Sequence, residues 1–379
     1  MKIIFAGGGT GGHLFSGIAL AEAACKREGQ DILFVGTAYG LEKEIVPQNA
    51  YRLEFIPVKQ IKGKGIFHRL KAFLQIPYAF WKSFLLLRKE NPDLVFGIGG
   101  YASGPVTLMA RLMGIKTAII EQNAYPGFTN RVLGKFVHVV FIAFENARKF
   151  FDPKKTFLTG NPVRQGFFEI KSPLTPLYKG GEDKITPLYQ RGAGGDFTLL
   201  ILGGSQGAHS LNQAMIEAAR FLVGSGISFR IIHQTGKPDF PIVKEAYAAL
   251  KIETEVKDFI SDIQNYYAQA DLVISRSGAG TVTELENMGK PAILVPYPHA
   301  ADDHQRLNAL ELVKAGAALM ILHSDLNGAL LAREIQILLS NPDRLKSMSE
   351  KAKKLAKPQA AAEILRICKG IINKQTKVP

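Results

Sequence analysis

Cysteine is nearly absent: Cys25 and Cys368 are the only two in 379 residues, and both fall on expected helical faces. That excludes a disulfide framework and a paired-cysteine metal site, and it fits a reducing compartment. No apolar run approaches the ~18 residues that a transmembrane helix needs. The first apolar run breaks at Gly7, too early for a secretory signal. Neither Gly-x-x-x-x-Gly-Lys-Ser/Thr nor His-Glu-x-x-His occurs, which argues against a P-loop nucleotidase and a zinc protease. Acid is the scarcer charge: 33 Asp and Glu stand against 47 Lys and Arg, a net charge of +14. Such an excess points to an anionic partner (nucleic acid, acidic membrane or phosphorylated substrate) or to a generally basic surface with no special partner.

Glycine, by contrast, is concentrated in turns. The chain opens with the apolar run Ile3-Ile4-Phe5-Ala6, then Gly7-Gly8-Gly9-Thr10-Gly11-Gly12-His13, then apolar residues at helical spacing, Leu14, Ile18, Ala21 and Cys25. This predicts strand, glycine turn, helix. Glycine lets backbone approach an oxyanion closely, and a helix N-terminus offers N–H groups and partial positive charge. The turn should face a phosphate, with His13 beside it. Gly7-x-Gly9-x-x-Gly12 matches the dinucleotide fingerprint, but that fingerprint also wants an acid at the end of the second strand. The expected second strand, Ile32–Val35, ends in Gly36-Thr37, and Asp31 lies at its start.

Apolar strands are expected at Ile3–Ala6, Ile32–Val35, Leu94–Ile98, Thr117–Ile120 and Val137–Ile142, mostly separated by helical patterns. Such alternation predicts a parallel sheet covered on both faces, with ligands outside the carboxyl ends of its strands. A second glycine turn, Gly97 to Pro105, and the segment Glu121-Gln122-Asn123 follow two of these strands, so they belong to the same edge. Between them, Ile66 to Lys89 is apolar, aromatic and basic, with no acid before Glu90. It reads either as a core helix with a basic outer face or as an interfacial segment on an anionic bilayer, anchored by Phe73, Phe80, Trp81, Phe84, Lys82 and Arg88.

From Lys171 to Asp196 the composition changes to a Pro- and Gly-rich tandem repeat, Thr175-Pro-Leu-Tyr178 and Thr186-Pro-Leu-Tyr189. It has too little apolar periodicity to pack and is expected to be an inserted, mobile loop. The pattern then restarts, with strands at Phe197–Leu202, Phe229–His233, Glu255–Val256, Leu272–Ser275 and Ala292–Val295. A third glycine turn follows the first of these, and Arg276-Ser277-Gly278-Ala279-Gly280-Thr281 follows the fourth.

Six segments occur in order: Gly7 to His13, Gly99-Gly-Tyr101-Ala-Ser-Gly104-Pro, Glu121-Gln-Asn123, Gly160-Asn-Pro-Val-Arg164, Gly203-Gly-Ser205-Gln-Gly-Ala208 and Arg276 to Glu284. Together they resemble the MurG family of peptidoglycan N-acetylglucosaminyltransferases, over nearly the whole chain apart from Lys171–Asp196. The resemblance implies an α/β fold of glycosyltransferase B type, two Rossmann-like doubly wound parallel-sheet domains facing a cleft. Residues 1–164 would bind acceptor and membrane, 165–196 would form the junction, and 197–355 would bind UDP-GlcNAc. Residues 356–379 would supply a helix packing back on the first domain and a frayed tail.

The implied reaction moves GlcNAc from UDP-GlcNAc to undecaprenyl-diphospho-MurNAc-pentapeptide (lipid I), giving lipid II with inversion and without a metal or cofactor. The implied setting is the cytoplasmic face of the inner membrane, in peripheral attachment and alongside other cell-wall enzymes, in the synthesis that underlies cell shape and division. Inversion needs a base on the acceptor hydroxyl and stabilisation of the departing diphosphate. His13 suits the base, because imidazole titrates near neutrality; capping or phosphate binding is its other reading. The resemblance assigns the donor to Thr10, Gly11, Gly12, Asn123, Arg164, Ser205, Ile260, Ala279, Gly280, Thr281, Glu284 and Gln305. Of these, Ser205 would hold the diphosphate, the Ile260 backbone would meet uracil, and Asn123 and Gln305 the sugar. Glu284 suits ribose hydroxyls, or else stabilises its helix through the dipole. The acceptor diphosphate falls to Gly9, Gly12, Gly99, Gly100, Tyr101, Ser103 and Gly104.

One departure stands out. The family often reads His-Glu-Gln-Asn where this chain has Ile120-Glu121-Gln122-Asn123. A role for that histidine is lost here, which puts more weight on His13 and leaves Glu121 as an alternative base. Competing readings are another UDP-sugar transferase acting on a diacylglycerol or macrolide, a UDP-GlcNAc 2-epimerase that needs no acceptor, and a basic binding module. The clustered glycine turns argue against the module and against nucleic acid, since an electrostatic surface does not require them.

Overall fold

The computed structural model describes residues 1–26, 29–58, 66–169, 197–204 and 207–373, with the side chains of 66–74 excepted. The tandem repeat, Ser205 and the Phe73 side chain lie outside the described residues. The chain forms two compact units: Met1–Gln165 with Lys357–Pro379, and Gly166–Ala356.

The first unit is built on seven parallel strands: β1 (Lys2–Gly7), β2 (Asp31–Gly36), β3 (Arg52–Phe55), β4 (Leu94–Gly99), β5 (Lys116–Glu121), β6 (Val139–Ile142) and β7 (Thr156–Leu158). Their order is β3-β2-β1-β4-β5-β6-β7. The order reverses between β1 and β4, the kind of switch point at which doubly wound sheets bind ligands. Both faces are covered, so the strand interiors are apolar throughout rather than alternating. On one face Phe34, Phe5, Phe96 and Phe141 form a row of rings with centroids 5.2 to 5.8 Å apart. Ala118 on the intervening β5 is the small neighbour that lets the Phe96 and Phe141 rings meet. Ile364, Leu365 and Cys368 of the helix Ala360–Asn373 complete this core beside Leu14 and Ile18 of the helix Gly11–Cys25. The opposite face packs Ile4, Leu33, Val35 and Val95 against Ala79, Leu87, Val106 and Ala110.

The second unit has six parallel strands: β8 (Phe197–Leu202), β9 (Phe229–Gln234), β10 (Thr254–Lys257), β11 (Leu272–Ser275), β12 (Ala292–Leu294) and β13 (Ala318–Met320). Their order, β10-β9-β8-β11-β12-β13, again reverses beside the first strand. Three strands escape sequence reading. β3 and β7 lie at the two edges of the first sheet, and β13 at one edge of the second, where short strands with partly exposed side chains suffice. Val137 is not in β6: its N–H donates to the Leu133 carbonyl and closes the preceding helix.

The amino edge of the first sheet explains Asp31. Lys2 pairs with Asp31 at 3.2 Å and with Glu90 at 2.8 Å, and Arg52 reaches Asp31 at 3.5 Å and Glu90 at 2.9 Å. Asp31 therefore ties strand starts together. The Glu90 carboxylate is nearly buried, and hydrogen bonds from Lys2 and then Arg52 outweigh burial and hold its pKa below the ordinary value. A lowered folded pKa stabilises the fold above the unfolded value and loses that contribution as pH falls through the folded one. Glu90→Gln should thus cost about 1–2 kcal/mol at pH 7, a difference that shrinks as pH drops below ~4. Urea unfolding of both proteins at pH 7 and pH 3.5 checks this, and a pH-independent difference would contradict it.

Candidate active site

At the β1/β4 switch point the first two glycine turns lock into each other. The Gly8 N–H donates to the Gly99 carbonyl at 3.0 Å. A Cβ on Gly7 (φ +138°) would lie 2.0 Å from that carbonyl oxygen, and one on Gly100 (φ +83°) would lie 2.4 Å from the Gly8 oxygen. Only glycine permits this approach and these dihedrals. The ring of His13 packs over Gly99: a Cβ there would be 2.9 Å from Cδ2 and 3.0 Å from Nε2. Thr10 Oγ1 lies 3.2 Å from His13 Nδ1. In the tautomer whose Nδ1–H donates to Thr10, Nε2 carries the lone pair a base requires. The N–H groups of Gly11 and Gly12 open the helix Gly11–Cys25 and have no intrahelical acceptor.

The turn is held from behind by Glu42, which sequence reading did not single out. Its side chain is buried, with 1 % of the residue exposed. Oε2 accepts the Gly9 N–H at 2.7 Å, while Oε1 accepts the Thr37 N–H at 2.8 Å and hydroxyl at 2.9 Å. The Gly9 N–H is therefore taken by the fold, although the residue itself is exposed. Ser103 is fully buried, with its hydroxyl packed over Gly97. Gly104 follows in the first turn of the helix Ser103–Leu112, and Tyr101 beside it is exposed.

The Glu121 carboxylate is engaged by the fold on both oxygens. Oε1 accepts the Asn123 N–H and side-chain amide at 2.9 and 3.1 Å, and Oε2 accepts the Gly127 N–H and Asn130 amide at 3.1 and 2.9 Å. Burial pushes its pKa up, against those hydrogen bonds, but the group is 1 % exposed and serves to fold the loop that carries Asn123. Arg164 stacks its guanidinium 4.7 Å from the centre of the Phe15 ring, and Asn161 receives the Ser16 hydroxyl at 2.7 Å. The Asn-Pro-Val-Arg segment is thereby fastened to the first helix.

In the second unit the third glycine turn leads from β8 into the helix His209–Val223. Gly207 passes so close to the next strand that a Cβ would lie 2.1 Å from the Thr235 oxygen. Across the β8/β11 switch point, Ala279, Gly280 and Thr281 open the helix Ala279–Met288, which has no acid in its first turn. Glu284 is half-buried one turn on, and the Tyr267 hydroxyl donates to its Oε2 at 3.1 Å, which aims the carboxylate. Gln305 is held twice: its Oε1 accepts the Tyr297 N–H at 3.0 Å and its carbonyl accepts the Ser277 hydroxyl at 2.8 Å. Asp302 and Asp303, at φ +52° and +54°, form the bend before its helix, with Asp303 at the N-cap position. The Ile260 N–H donates to Gln234 Oε1 at 2.9 Å. Arg276, quoted in the motif but given no role, places a buried guanidinium on the Val295 and Pro296 carbonyls and the Ser210 hydroxyl. Among the described residues, no three His, Cys, Asp or Glu side chains gather as a metal site.

On the helix Ile66–Glu90, Ala79, Ser83 and Leu87 turn inward at four-residue spacing. Trp81 is 56 % exposed, with Ile76, Tyr78 and Leu85 also outward and Lys82 and Arg88 exposed beside them. Phe80 and Phe84 are half-buried, so the outward apolar face differs from the expected one. Among the described residues no helix is long and apolar enough to cross a membrane.

Two doubly wound parallel sheets, with glycine turns at their switch points, define the architecture of a B-type glycosyltransferase. The N-terminal domain model of glycosyltransferase family 28 matches residues 3–142, and its C-terminal domain model matches 198–364. The UDP-N-acetylglucosamine–N-acetylmuramyl-(pentapeptide) pyrophosphoryl-undecaprenol N-acetylglucosamine transferase of Myxococcus xanthus is 49 % identical, over 97 % of this chain and 92 % of its own. The enzyme of that name from Syntrophus aciditrophicus is 44 % identical over 98 % and 99 %. The crystal structure of Acinetobacter baumannii MurG superposes with a TM-score of 0.75 at 30 % identity, covering 97 % of this chain and 99 % of that one. A UDP-N-acetylglucosamine 2-epimerase shares the fold alone, at TM-score 0.64 and 15 % identity, over 100 % of this chain and 98 % of its own. The chain belongs to glycosyltransferase family 28 and, within it, to the MurG family.

Glu42→Ala removes three hydrogen bonds to one buried carboxylate. It should destabilise the protein by about 2–4 kcal/mol, read as a lower urea midpoint. An unchanged midpoint would show that the turn holds itself.

Proposed function

We propose that this protein transfers GlcNAc from UDP-GlcNAc to lipid I and forms lipid II, with inversion at the anomeric carbon and no metal. Near full-length identity to transferases bearing that name carries the reading. In this mechanism His13 Nε2 takes the proton of the acceptor hydroxyl as its oxygen attacks the anomeric carbon. UDP leaves from the opposite face. N–H groups at the third glycine turn and at the start of the helix Ala279–Met288 neutralise the diphosphate without metal, as helix N-termini do for anions. Glu284, aimed by Tyr267, accepts from the ribose hydroxyls, and the Ile260 backbone meets uracil. The first two glycine turns receive the acceptor diphosphate. The epimerase has only the fold in common with this chain.

Incubation of the purified chain with UDP-GlcNAc and lipid I should give lipid II and UDP. His13→Ala should lower kcat by about a hundredfold or more with donor affinity nearly intact. Activity within a few-fold of the parent would remove His13 as the base.

The acceptor's polyprenyl tail stays in lipid, so the enzyme works as a peripheral protein on the cytoplasmic face of the membrane. The outward face of Ile66–Glu90 is its contact, with Trp81 as apolar anchor and Lys82 and Arg88 on anionic headgroups, each basic group contributing about 1 kcal/mol. Such binding is reversible and weakened by salt. Lys82→Glu with Arg88→Glu and Trp81→Ala should release the protein from anionic vesicles in a sedimentation assay and spare UDP binding. Sedimentation like that of the parent would place the contact elsewhere.

A further inference from the structure

Glu42 sits in a space made for it. A Cβ on Gly8 would lie 2.7 Å from its Oε2, one on Gly40 2.1 Å from the same oxygen, and one on Gly36 2.4 Å from its Cγ. Glycines from two segments thus leave room for one buried carboxylate. Its oxygens meet donors only, the Gly9 N–H on one and the Thr37 N–H and hydroxyl on the other. An ionised carboxylate is the side-chain group that accepts on both atoms and donates on neither.

The turn Gly8–Thr10 is fixed at successive residues by different elements. The Gly8 N–H donates to the Gly99 carbonyl of β4 at 3.0 Å, the Gly9 N–H to Glu42 Oε2 at 2.7 Å, and the Thr10 carbonyl accepts the Leu14 N–H at 3.1 Å. Among these anchors only Glu42 acts through its side chain. Thr10 Oγ1 in turn lies 3.2 Å from His13 Nδ1. The link runs from Glu42 through Gly9 and Thr10 to His13, and its use rests on the reading above in which His13 Nε2 takes the acceptor proton. A ring free to swivel loses the alignment that proton transfer needs, and a misplacement of about 1 Å can cost about a hundredfold. We infer that Glu42 is a positioning residue for the transfer, which fixes the Gly9–Thr10 peptide and through Thr10 sets the orientation of the His13 ring.

Steady-state transfer by the full chain, with UDP affinity measured by calorimetry, tests this on Glu42→Gln, Thr10→Val and the double variant. Glutamine keeps the shape. Its oxygen stays with the two Thr37 donors, so its NH2 meets the Gly9 N–H, donor against donor. Glu42→Gln should lower kcat by about tenfold or more and leave UDP affinity within about twofold of the parent. Thr10→Val replaces the hydroxyl beside Nδ1 by a methyl group and should lower kcat likewise. Both act on one ring through one link, so the double variant should fall no more than about threefold below the less active single variant. Glu42→Gln with kcat within about twofold of the parent, while His13→Ala is inactive, overturns the inference and leaves the base reading standing. Single losses that multiply in the double variant also overturn it, because a merely structural role gives that result. If Glu42→Gln does not fold, Thr10→Val decides: a parental kcat there overturns the inference. His13→Ala as active as the parent would instead overturn the base reading, and the inference with it.

Discussion

The contact on which the first unit depends is backbone against backbone. Gly7 and Gly8 approach Gly99 and Gly100 so closely that a methyl group on Gly7 or Gly100 would overlap a carbonyl oxygen. The strand register shifts between Ala6 and Gly7 to allow it, the local irregularity that a bulge introduces. This interlock joins the ends of β1 and β4 into one surface. It also sets the height of the helix that begins at Gly11, and with it the position of His13, whose ring rests on Gly99. A side chain at Gly99 would displace the ring.

Rigidity at this point comes from buried polar groups rather than from apolar packing. Glu42 holds the first turn and Glu121 the loop of Asn123, each carboxylate accepting N–H groups from its own surroundings. The second unit builds a comparable network around a neutral histidine. His233 is fully buried, and burial drives its pKa down to about 3. It stays neutral between the Tyr247 hydroxyl at 2.8 Å and Asn212 Oδ1 at 3.0 Å. Asn212 passes the connection on to the Thr235 carbonyl and to Asp239, which meets His209 at the start of the helix after the third glycine turn. Such fully satisfied networks fix one arrangement of loops, because leaving any member unpaired in a low-dielectric interior is costly.

Much of this was legible in the sequence, for identifiable reasons. Strands buried on both faces are continuous apolar runs, so β1, β2, β4, β5, β8, β9, β11 and β12 declare themselves within a residue or two at most. The glycine turns declare themselves because left-handed dihedrals and close approach admit little else. The order of six short motifs carries the family. The edge strands β3, β7 and β13 are obscure because an edge needs neither length nor full burial.

What the tertiary structure alone decided is which polar side chains are held by the fold. Glu42 meets Gly9 across 33 positions of sequence, and Gln234 meets Gly204 and Ile260 across 30 and 26, distances at which no local pattern survives. As letters in a motif, His13 is the favoured base and Glu121 its alternative. In the folded chain the carboxylate is enclosed by four N–H donors, while the imidazole stands half-buried on Gly99 at the sheet edge. Residue type and spacing determine where backbone can bend and which faces must be buried. Only the packing of distant segments determines whether a polar group is consumed by the fold, because hydrogen-bond satisfaction depends on neighbours in space.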